Sequence, residues 1–451
     1  MKYTENSNEP HQNSIERGFE KVITPFQTFI KDQTTSSALL IVCAILALLI
    51  ANSPLAQPYQ DFLHLPVGFV VADYTFSMSV RHWINDGLMS FFFFLLGMEI
   101  KRELLVGEIR KLDRLVPIMS AALGGMLLPA LIYFSFNSTG DFAHGWAIPM
   151  ATDTAFAVGV LALLAGRVPV AAFSFLTALA IIDDLGAILV IALFYTENLN
   201  THGLLLSLGL FSMLIVFNYL GIKNVTVYLF FGVILWVFML HSGLHATVAG
   251  VLVAASVPSK PKRSPQWFAA HLEKLFKRFR KLEQGRSNNS PILAEAEQHA
   301  VVENIQLAAE KSTTPLRRWE NILEHPVSLF VLPVFALANA GVAINLQQLT
   351  EFWFEPMALG IVLGLVLGKA LGISLFTWLV VRFHLGKLPD SLNMKHIVGL
   401  GLLAGMGFTM SIFISTLGFS DMPQILDLAK TAILIASAIA GTLGFIYLRY
   451  V

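Results

Sequence analysis

Between Val170 and Tyr195 the chain is a near-continuous apolar run. Apart from that terminal tyrosine, its only ionisable groups are the adjacent Asp183 and Asp184, in Ala-Ile-Ile-Asp-Asp-Leu-Gly-Ala-Ile over residues 180–188. A membrane crossing needs about 20 apolar residues, so the run is long enough to span a bilayer. A charged side chain near the bilayer centre costs about 2.5–3.5 kcal/mol on insertion scales, and two in succession call for a reason. Successive helix residues point about 100° apart, so the two carboxylates cannot share one small target equally. One is expected to face a cavity while the other supports it or meets a second partner. The plainer alternative is a carboxylate pair satisfied by Lys or Arg on neighbouring helices. Intramembrane acids more often mark an ion pathway.

The rest of the chain has the same character. Of its 451 residues 55% are hydrophobic and 13% charged, against about 25% charged in ordinary soluble domains. The fold class is therefore an all-α polytopic membrane protein. Thirty Lys and Arg balance thirty Asp and Glu, so no bulk basic field argues for nucleic acid. The single cysteine, Cys43, excludes an intramolecular disulfide. Residues 1–36 are polar and lack the apolar core and small-residue cleavage site of a secretory signal, which leaves the first span as an uncleaved anchor.

Apolar runs read for length and flanks give about twelve spans, near 37–52, 84–101, 115–136, 144–164, 170–195, 203–219, 225–241, 244–257, 326–344, 357–381, 395–418 and 428–448. Several are short for a full crossing, which points to tilted, re-entrant or interrupted helices. If the amino terminus lies inside, Lys101, Arg102, Arg110, Lys111, Arg114, Arg167, Lys223, Arg382, Lys387, Lys395 and Arg449 all fall on the inner side, and among outer positions Arg81 is the exception. That asymmetry is the positive-inside pattern and puts both termini in the cytoplasm. The chain thus divides into an amino-terminal segment (1–36), eight spans (37–257), a cytoplasmic loop (258–325) and four further spans (326–451).

Two segments outside the spans have a pattern of their own. Tyr74, Phe76, Met78 and Val80 alternate with polar residues, which predicts a short strand paired with 67–72. It reads either as an ordered outer loop or as an edge for a second subunit. In the 258–325 loop, Trp267, Phe268, Leu272, Leu275, Phe276, Phe279 and Leu282 form one stripe, ringed by Lys274, Lys277, Arg278, Arg280 and Lys281. A basic amphipathic helix of this kind is expected to lie on the anionic inner leaflet, and 292–311 reads as a second, more acidic helix. The competing reading is a partly disordered linker.

Four further intramembrane features join the aspartate pair. Asp153 is flanked by Thr152 and Thr154 and follows Pro149, a combination that favours a local break facing a cavity. Alternatively Asp153 simply caps a half-helix. Lys369 stands alone in an apolar span, as a transport residue or a structural counter-ion. Gly399, Gly401, Gly405, Gly407 and Thr409 mark a second candidate break, or only close helix packing. Glu99, Arg102 and Glu103 share one helix face at an inner end, as a functional group or an ordinary interfacial cluster. His241 and His245 lack the intervening glutamate of a zinc-protease motif, and His245 reads as polar packing or a pH-responsive group.

A cation carrier unites these parts. Hard cations take oxygen ligands from carboxylates, hydroxyls and freed carbonyls. Opposed half-helix ends leave partial charges at the midplane that Asp and Lys compensate. A carboxylate that binds sodium when ionised and a proton when neutral makes the two ligands mutually exclusive, which is antiport in its simplest form. Two other classes compete. An intramembrane aspartyl protease would use Asp153 and a fifth-span aspartate as a dyad, but its Gly-x-Gly-Asp signature is absent and Lys369 would be an odd neighbour. A passive cation channel would conduct without countertransport.

The chain resembles the NhaA-type sodium/proton antiporters. The resemblance rests on Ala-Thr-Asp-Thr-Ala-Phe, Ile-Ile-Asp-Asp-Leu-Gly-Ala, Leu-His-Ser-Gly-Leu-His-Ala-Thr-Val-Ala-Gly, Phe-Ala-Leu-Ala-Asn-Ala-Gly-Val, Gly-Lys-Ala-Leu-Gly-Ile-Ser-Leu-Phe and Gly-Met-Gly-Phe-Thr-Met-Ser-Ile-Phe-Ile, in family order across about 35–450. It implies inverted-topology repeats with broken fourth and eleventh spans crossing each other. It also implies that Asp184 is the main ligand for Na+ and carrier of H+, with Asp183 its essential neighbour and Asp153 and Thr152 at the fourth-span break. Lys369 would pair with Asp183 in the unloaded state and, with Asp153, compensate charge. Glu99, Arg102, Glu103 and Glu320, with His245, would sense pH, and the 66–80 hairpin would join two subunits into a homodimer. Li+ would travel like Na+, no cofactor would be needed, and the location would be a bacterial inner membrane. Two departures stand out. Residues 258–319 exceed the usual connection, and Asn321 stands where the family pattern allows a histidine.

Overall fold

The structure, a computed structural model, describes residues 33–71, 74–106, 112–196, 199–284, 296–343 and 352–451. Most of the amino-terminal segment assigned to 1–36 lies outside these, as do Arg110, Lys111 and residues 285–295. Among the described residues eight helices are long and apolar enough to cross a membrane, or up to ten if each bent pair is one span. In chain order α1 is Gln33–Ala51 and α2 is Ala56–His64, bent 111° from it. Strands β1 (Pro66–Val71) and β2 (Tyr74–Ser79) pair antiparallel from Pro66↔Ser79 to Val71↔Tyr74, the hairpin expected from the alternation. Then come α3 (Val80–Val106), α4 (Leu112–Phe136) and α5 (Asp141–Ala162), the last in two halves. They are followed by α6 (Val170–Phe194), α7 (Thr201–Tyr219), α8 (Val225–Leu240) and α9 (Val248–Ser256). Two helices, α10 (Pro265–Gln284) and α11 (Ala296–Ser312), form the inserted segment. The chain closes with α12 (Pro315–Asn339), α13 (Pro356–Arg382), α14 (Met394–Ala404), α15 (Phe408–Gly418) and α16 (Pro423–Tyr450).

The all-α polytopic reading holds, with corrections at the boundaries of the expected spans. The first span stops at Ala51, because α2 turns sideways rather than continuing through. The ninth begins at Pro315, not 326: Thr314 accepts from Arg317 N as the N-cap and Pro315 takes the first helical position, where its missing N–H costs nothing. Pro326 is then absorbed by a π-turn over Val327–Val331. The eighth span is only nine residues of helix, and Lys101 Nζ closes its end on Ala255 O and Val257 O, both at 2.6 Å.

In the 258–325 segment α10 packs on α11, and the apolar stripe is half-buried apart from exposed Phe276, while Lys274, Lys277, Arg278, Arg280 and Lys281 are exposed. Lys277 lies 2.7 Å from Glu273 and holds that carboxyl below its usual range.

Small residues set the tightest contact. A Cβ on Gly124 would stand 2.2 Å from Gly372 O, so α4 and α13 approach backbone to backbone. Beside this contact a π-turn at Gly364–Gly368 ends on Lys369, which fixes where that lysine enters the core. Irregular turns of this kind often accompany functional positions.

Candidate functional site

Two interrupted helices meet at the centre of the bundle. The first half of α5, Asp141–Met150, is wound as a 3₁₀ helix with Pro149 inside, and the α-helical half starts only at Thr154. Between them 151–153 is non-helical. Across from it α14 stops at Ala404, and α15 restarts at Phe408 at an angle of 47°. The two breaks satisfy each other. Asp153 N donates to Met406 O at 2.6 Å, and Thr152 Oγ1 lies 3.0 Å from Ala404 O, its one hydrogen shared between that carbonyl and Asp183, so carbonyls freed at the α14 end gain partners.

Asp153 serves two helix starts at once. Its Oδ1 accepts from Phe156 N at 3.1 Å in its own helix. Its Oδ2 accepts from Thr409 N at 2.9 Å and Thr409 Oγ1 at 2.6 Å on the crossing one. One carboxylate therefore stands at two partially positive helix ends, the placement that lowers its energy most. Capping, the plainer reading of Asp153, is what its hydrogen bonds do. Thr409 entered the sequence reading only as part of a glycine-rich stretch. Its signal was available as a hydroxyl just past a glycine break, matching the threonines around Asp153.

The lysine and the aspartate pair complete the centre. Lys369 Nζ lies 2.6 Å from Asp183 Oδ2, with both side chains 0% exposed, and Thr152 Oγ1 donates to the same oxygen at 2.9 Å. Lys369 thus bonds a carboxylate rather than the carbonyl ends of the broken helices. Asp184 is different. It is buried, yet among the described residues no donor reaches its Oδ1, and Asp183 Oδ1 is also without a partner. A buried carboxylate oxygen without a donor is expensive unless something else binds it. No group of three or more His, Cys, Asp and Glu side chains suited to hold a metal occurs among the described residues. The oxygens at hand are carboxylate, hydroxyl and carbonyl, a donor set that suits a hard monovalent cation.

The second expected cluster is assembled at the helix ends away from the hairpin. Arg102 Nε grips Glu320 Oε1 at 2.6 Å and Arg102 Nη1 reaches Glu103 Oε2 at 3.6 Å, tying α3 to α12. Arg317 adds a longer contact to Glu320 Oε2 at 3.8 Å. Glu99 is within electrostatic reach of Glu320 and Arg102 on one side and of Asp184 on the other, so it stands between the cluster and the central site. That bridging position was not readable from spacing along one helix. His245 lies apart, in the turn between α8 and α9, at the hairpin end.

Comparison with known proteins agrees with this architecture. The family model described as Na+/H+ antiporter 1 matches residues 27–448. The chain is 47% identical to the protein named Na(+)/H(+) antiporter NhaA 1 of Shewanella denitrificans, covering 98% of this chain and 97% of that one. The chain belongs to the NhaA family of Na+/H+ antiporters. The NhaA of Sulfurimonas denitrificans is 44% identical over 97% of both chains, and an NhaA 1 of Saccharophagus degradans 44% over 96% and 93%. The NhaA fold is all-α and polytopic, with a small β-hairpin, as the helices and strands here are.

Proposed function

We propose that the chain exchanges Na+ for H+ across a bacterial inner membrane, with Asp184 as the group that both ions compete for. The observation that carries this reading is the contrast within one helical turn. Asp183 is held by Lys369 and Thr152, whereas Asp184 Oδ1 accepts nothing and is free to take a cation or a proton. Ionised, the Asp184 carboxylate offers an anionic oxygen beside the unpartnered Asp183 Oδ1, and a sodium ion bridging them replaces the missing donors. Protonated, Asp184 gains an O–H and loses its charge, and the cation leaves. Sodium on Asp183 weakens that residue's bond to Lys369, so the lysine serves as the internal substitute for cargo in the unloaded state. Asp153 and Thr409 keep the two half-helices crossed while this happens, and Thr152 positions Asp183.

An electrogenic cycle needs a further proton beyond the one that Asp184 takes for each Na+, and the paired Asp183 and Lys369 are the groups at hand to carry it. Li+, a smaller hard cation with the same oxygen preference, travels as Na+ does. Glu99, Arg102, Glu103 and Glu320 set the pH at which exchange begins, His245 adding a titratable group elsewhere. The termini face the cytoplasm, the hairpin joins two copies, and the exposed basic face of α10 meets anionic lipid of the inner leaflet.

The experiment uses everted or reconstituted vesicles holding a pH dye, challenged with sodium, lithium and potassium. Sodium- and lithium-driven proton movement that vanishes in Asp184→Asn supports the reading. Normal exchange in that variant, or conductance without countertransport, overturns it.

A further inference from the structure

At the helix ends away from the hairpin lies a cavity that the exchange does not use. It measures about 580 Å³ and opens between the start of α8, the stretch leading into α10, the end of α11 and the start of α12. Lys223, Lys262 and Arg318 line it, and among the described residues Glu310 is the one carboxylate in its wall. Lys223 Nζ donates to Pro261 O at 2.7 Å, which holds the ammonium at the wall and spends one of its three hydrogens. Arg318 Nη1 stands 3.8 Å from Glu310 Oε2, beyond hydrogen-bond reach. Arg318 Nε is buried, and no acceptor among the described residues meets it. Lys262 is exposed at the rim. The start of α8 faces the same space: Asn224, its N-cap, accepts from Thr226 N at 3.1 Å, and the partially positive end of this helix adds to the field. Three cations against one carboxylate leave an excess of two charges, and a buried guanidinium nitrogen lacks the acceptor it needs.

We propose that this cavity binds a small soluble phosphate monoester. Such a group is close to a dianion near neutral pH, which matches the excess of two charges. Its oxygens fit the planar fork of Arg318, with Lys223 and Lys262 as point charges on either side. The cavity is larger than a phosphate, and half-buried Trp319 and exposed Ile322 offer apolar surface to the rest of the molecule. A phospholipid headgroup carries the same chemistry, but the position favours a soluble ligand. The apolar run of α12 starts only at Pro326, and the residues from Arg317 to His325 are mostly charged or polar. Arg318 therefore stands about 12 Å along the helix outside the apolar run, beyond a headgroup layer about 5–7 Å deep. A ligand there would tie α11 to α8 and α12. The site is independent of the exchange reading, since none of its residues belongs to the central site or to the group around Arg102.

The test is thermal melting of the full chain in detergent, at fixed sodium, pH and ionic strength, with gluconate replaced stepwise by inorganic phosphate. The melting temperature should rise and saturate, as for a ligand that binds only the folded state. Half-saturation should need at least about tenfold more phosphate in Arg318→Gln and in Lys262→Glu, since each loses a charge-assisted contact. If Arg318→Gln does not fold, Lys262→Glu, a change at an exposed position, decides. Binding of radioactive phosphate to wild type, displaced by phenyl phosphate and not by gluconate, is expected as well and needs no variant. Equal melting in phosphate and gluconate overturns the proposal, as does a full phosphate response in either variant. A rise that never saturates overturns it too, being the general salting effect of phosphate. So does stabilisation by phosphatidylglycerol, lost in Arg318→Gln, where inorganic phosphate gives none, because the occupant is then a lipid headgroup.

Discussion

The central site and the charge cluster at the helix ends away from the hairpin are built from the same kinds of side chain, yet they treat charge in opposite ways. At the centre Lys369 and Asp183 form a sealed pair at 2.6 Å with neither side chain exposed, and Thr152 adds a hydrogen bond to the same carboxylate oxygen. At the inner end Arg102 is shared between Glu320 and Glu103, and its side chain keeps 27% of its surface accessible. A sealed pair has two states, made or replaced by cargo. A shared, half-open guanidinium can lose one carboxylate and keep the other. On the proposed function the difference would separate a site that exchanges ions from one that adjusts how readily it does so, with Glu99 between them.

The contrast is broken most directly at Asp184. Asp184→Asn keeps the shape and removes the exchangeable charge, so sodium-driven proton movement should fall at least about 100-fold, a barrier change of roughly 2.7 kcal/mol or more. Membrane insertion and melting should stay near wild type, because no bond of the described residues is lost at Oδ1. A variant that still exchanges at a tenth of the normal rate would place the cation elsewhere.

Lys369→Ala should be the most damaging change to stability. Removing one partner of a buried pair generally costs about 3–5 kcal/mol, since the other is left charged and alone. Melting in detergent should drop accordingly, and adding Asp183→Asn should recover part of the loss, as expected for residues that act on each other directly. An unchanged melting temperature in the single variant would mean that the 2.6 Å pair contributes nothing. The same substitution at exposed Lys277, whose partner Glu273 is equally close, should leave melting within about 0.5 kcal/mol.

Thr409→Val comes next. It removes the 2.6 Å hydroxyl bond to Asp153 while the backbone bond at 2.9 Å remains. A hydrogen bond to a charged group contributes about 1.5–3 kcal/mol, so stability should fall by that order. The half-saturating sodium concentration should rise, because the crossing of the two breaks is looser. Thr409→Ser, which restores the hydroxyl, should restore both. Loss of stability with an unaltered sodium dependence would confine Thr409 to a structural role.

The fold was largely legible because its signals are local. Long apolar runs, Pro149 beside Asp153 and the glycines of 399–407 each mark a span or a break without reference to anything distant. Two kinds of feature were not. Where α12 begins depends on Thr314 and Pro315, which are polar or neutral in a hydropathy window, so the helix start was placed eleven residues late. The partners of the central side chains lie 186 to 256 residues away along the chain, as for Lys369 with Asp183 and Thr409 with Asp153. Isolated charges told which residues needed partners. Only the family resemblance told which partner Lys369 takes, and nothing in the sequence told that Thr409 takes Asp153. In α10 the stripe was read as apolar, and packing against α11 leaves it half-buried with Phe276 still exposed, which no spacing within α10 could tell.

The smallest expected effect separates the two regions most finely. If the inner cluster adjusts the onset of exchange, Glu103→Gln should displace the pH profile and leave the maximal rate intact, because no cation ligand is touched. Arg102 would then bond Glu320 alone, and the groups that titrate together on this face would shift with it. The competing account places all pH dependence in the rivalry of proton and sodium at Asp184. On that account raising sodium moves wild type and Glu103→Gln together, and the two curves superimpose at every sodium concentration. Exchange measured from about pH 6 to 9, a range spanning the ordinary titration of histidine and shifted carboxylates, at low and saturating sodium, distinguishes them. A displacement that survives saturating sodium assigns the cluster a role of its own. Superimposed curves at both concentrations would reduce Arg102, Glu103 and Glu320 to a clamp between two helix ends, and leave Asp184 as both the exchanger and its own pH sensor.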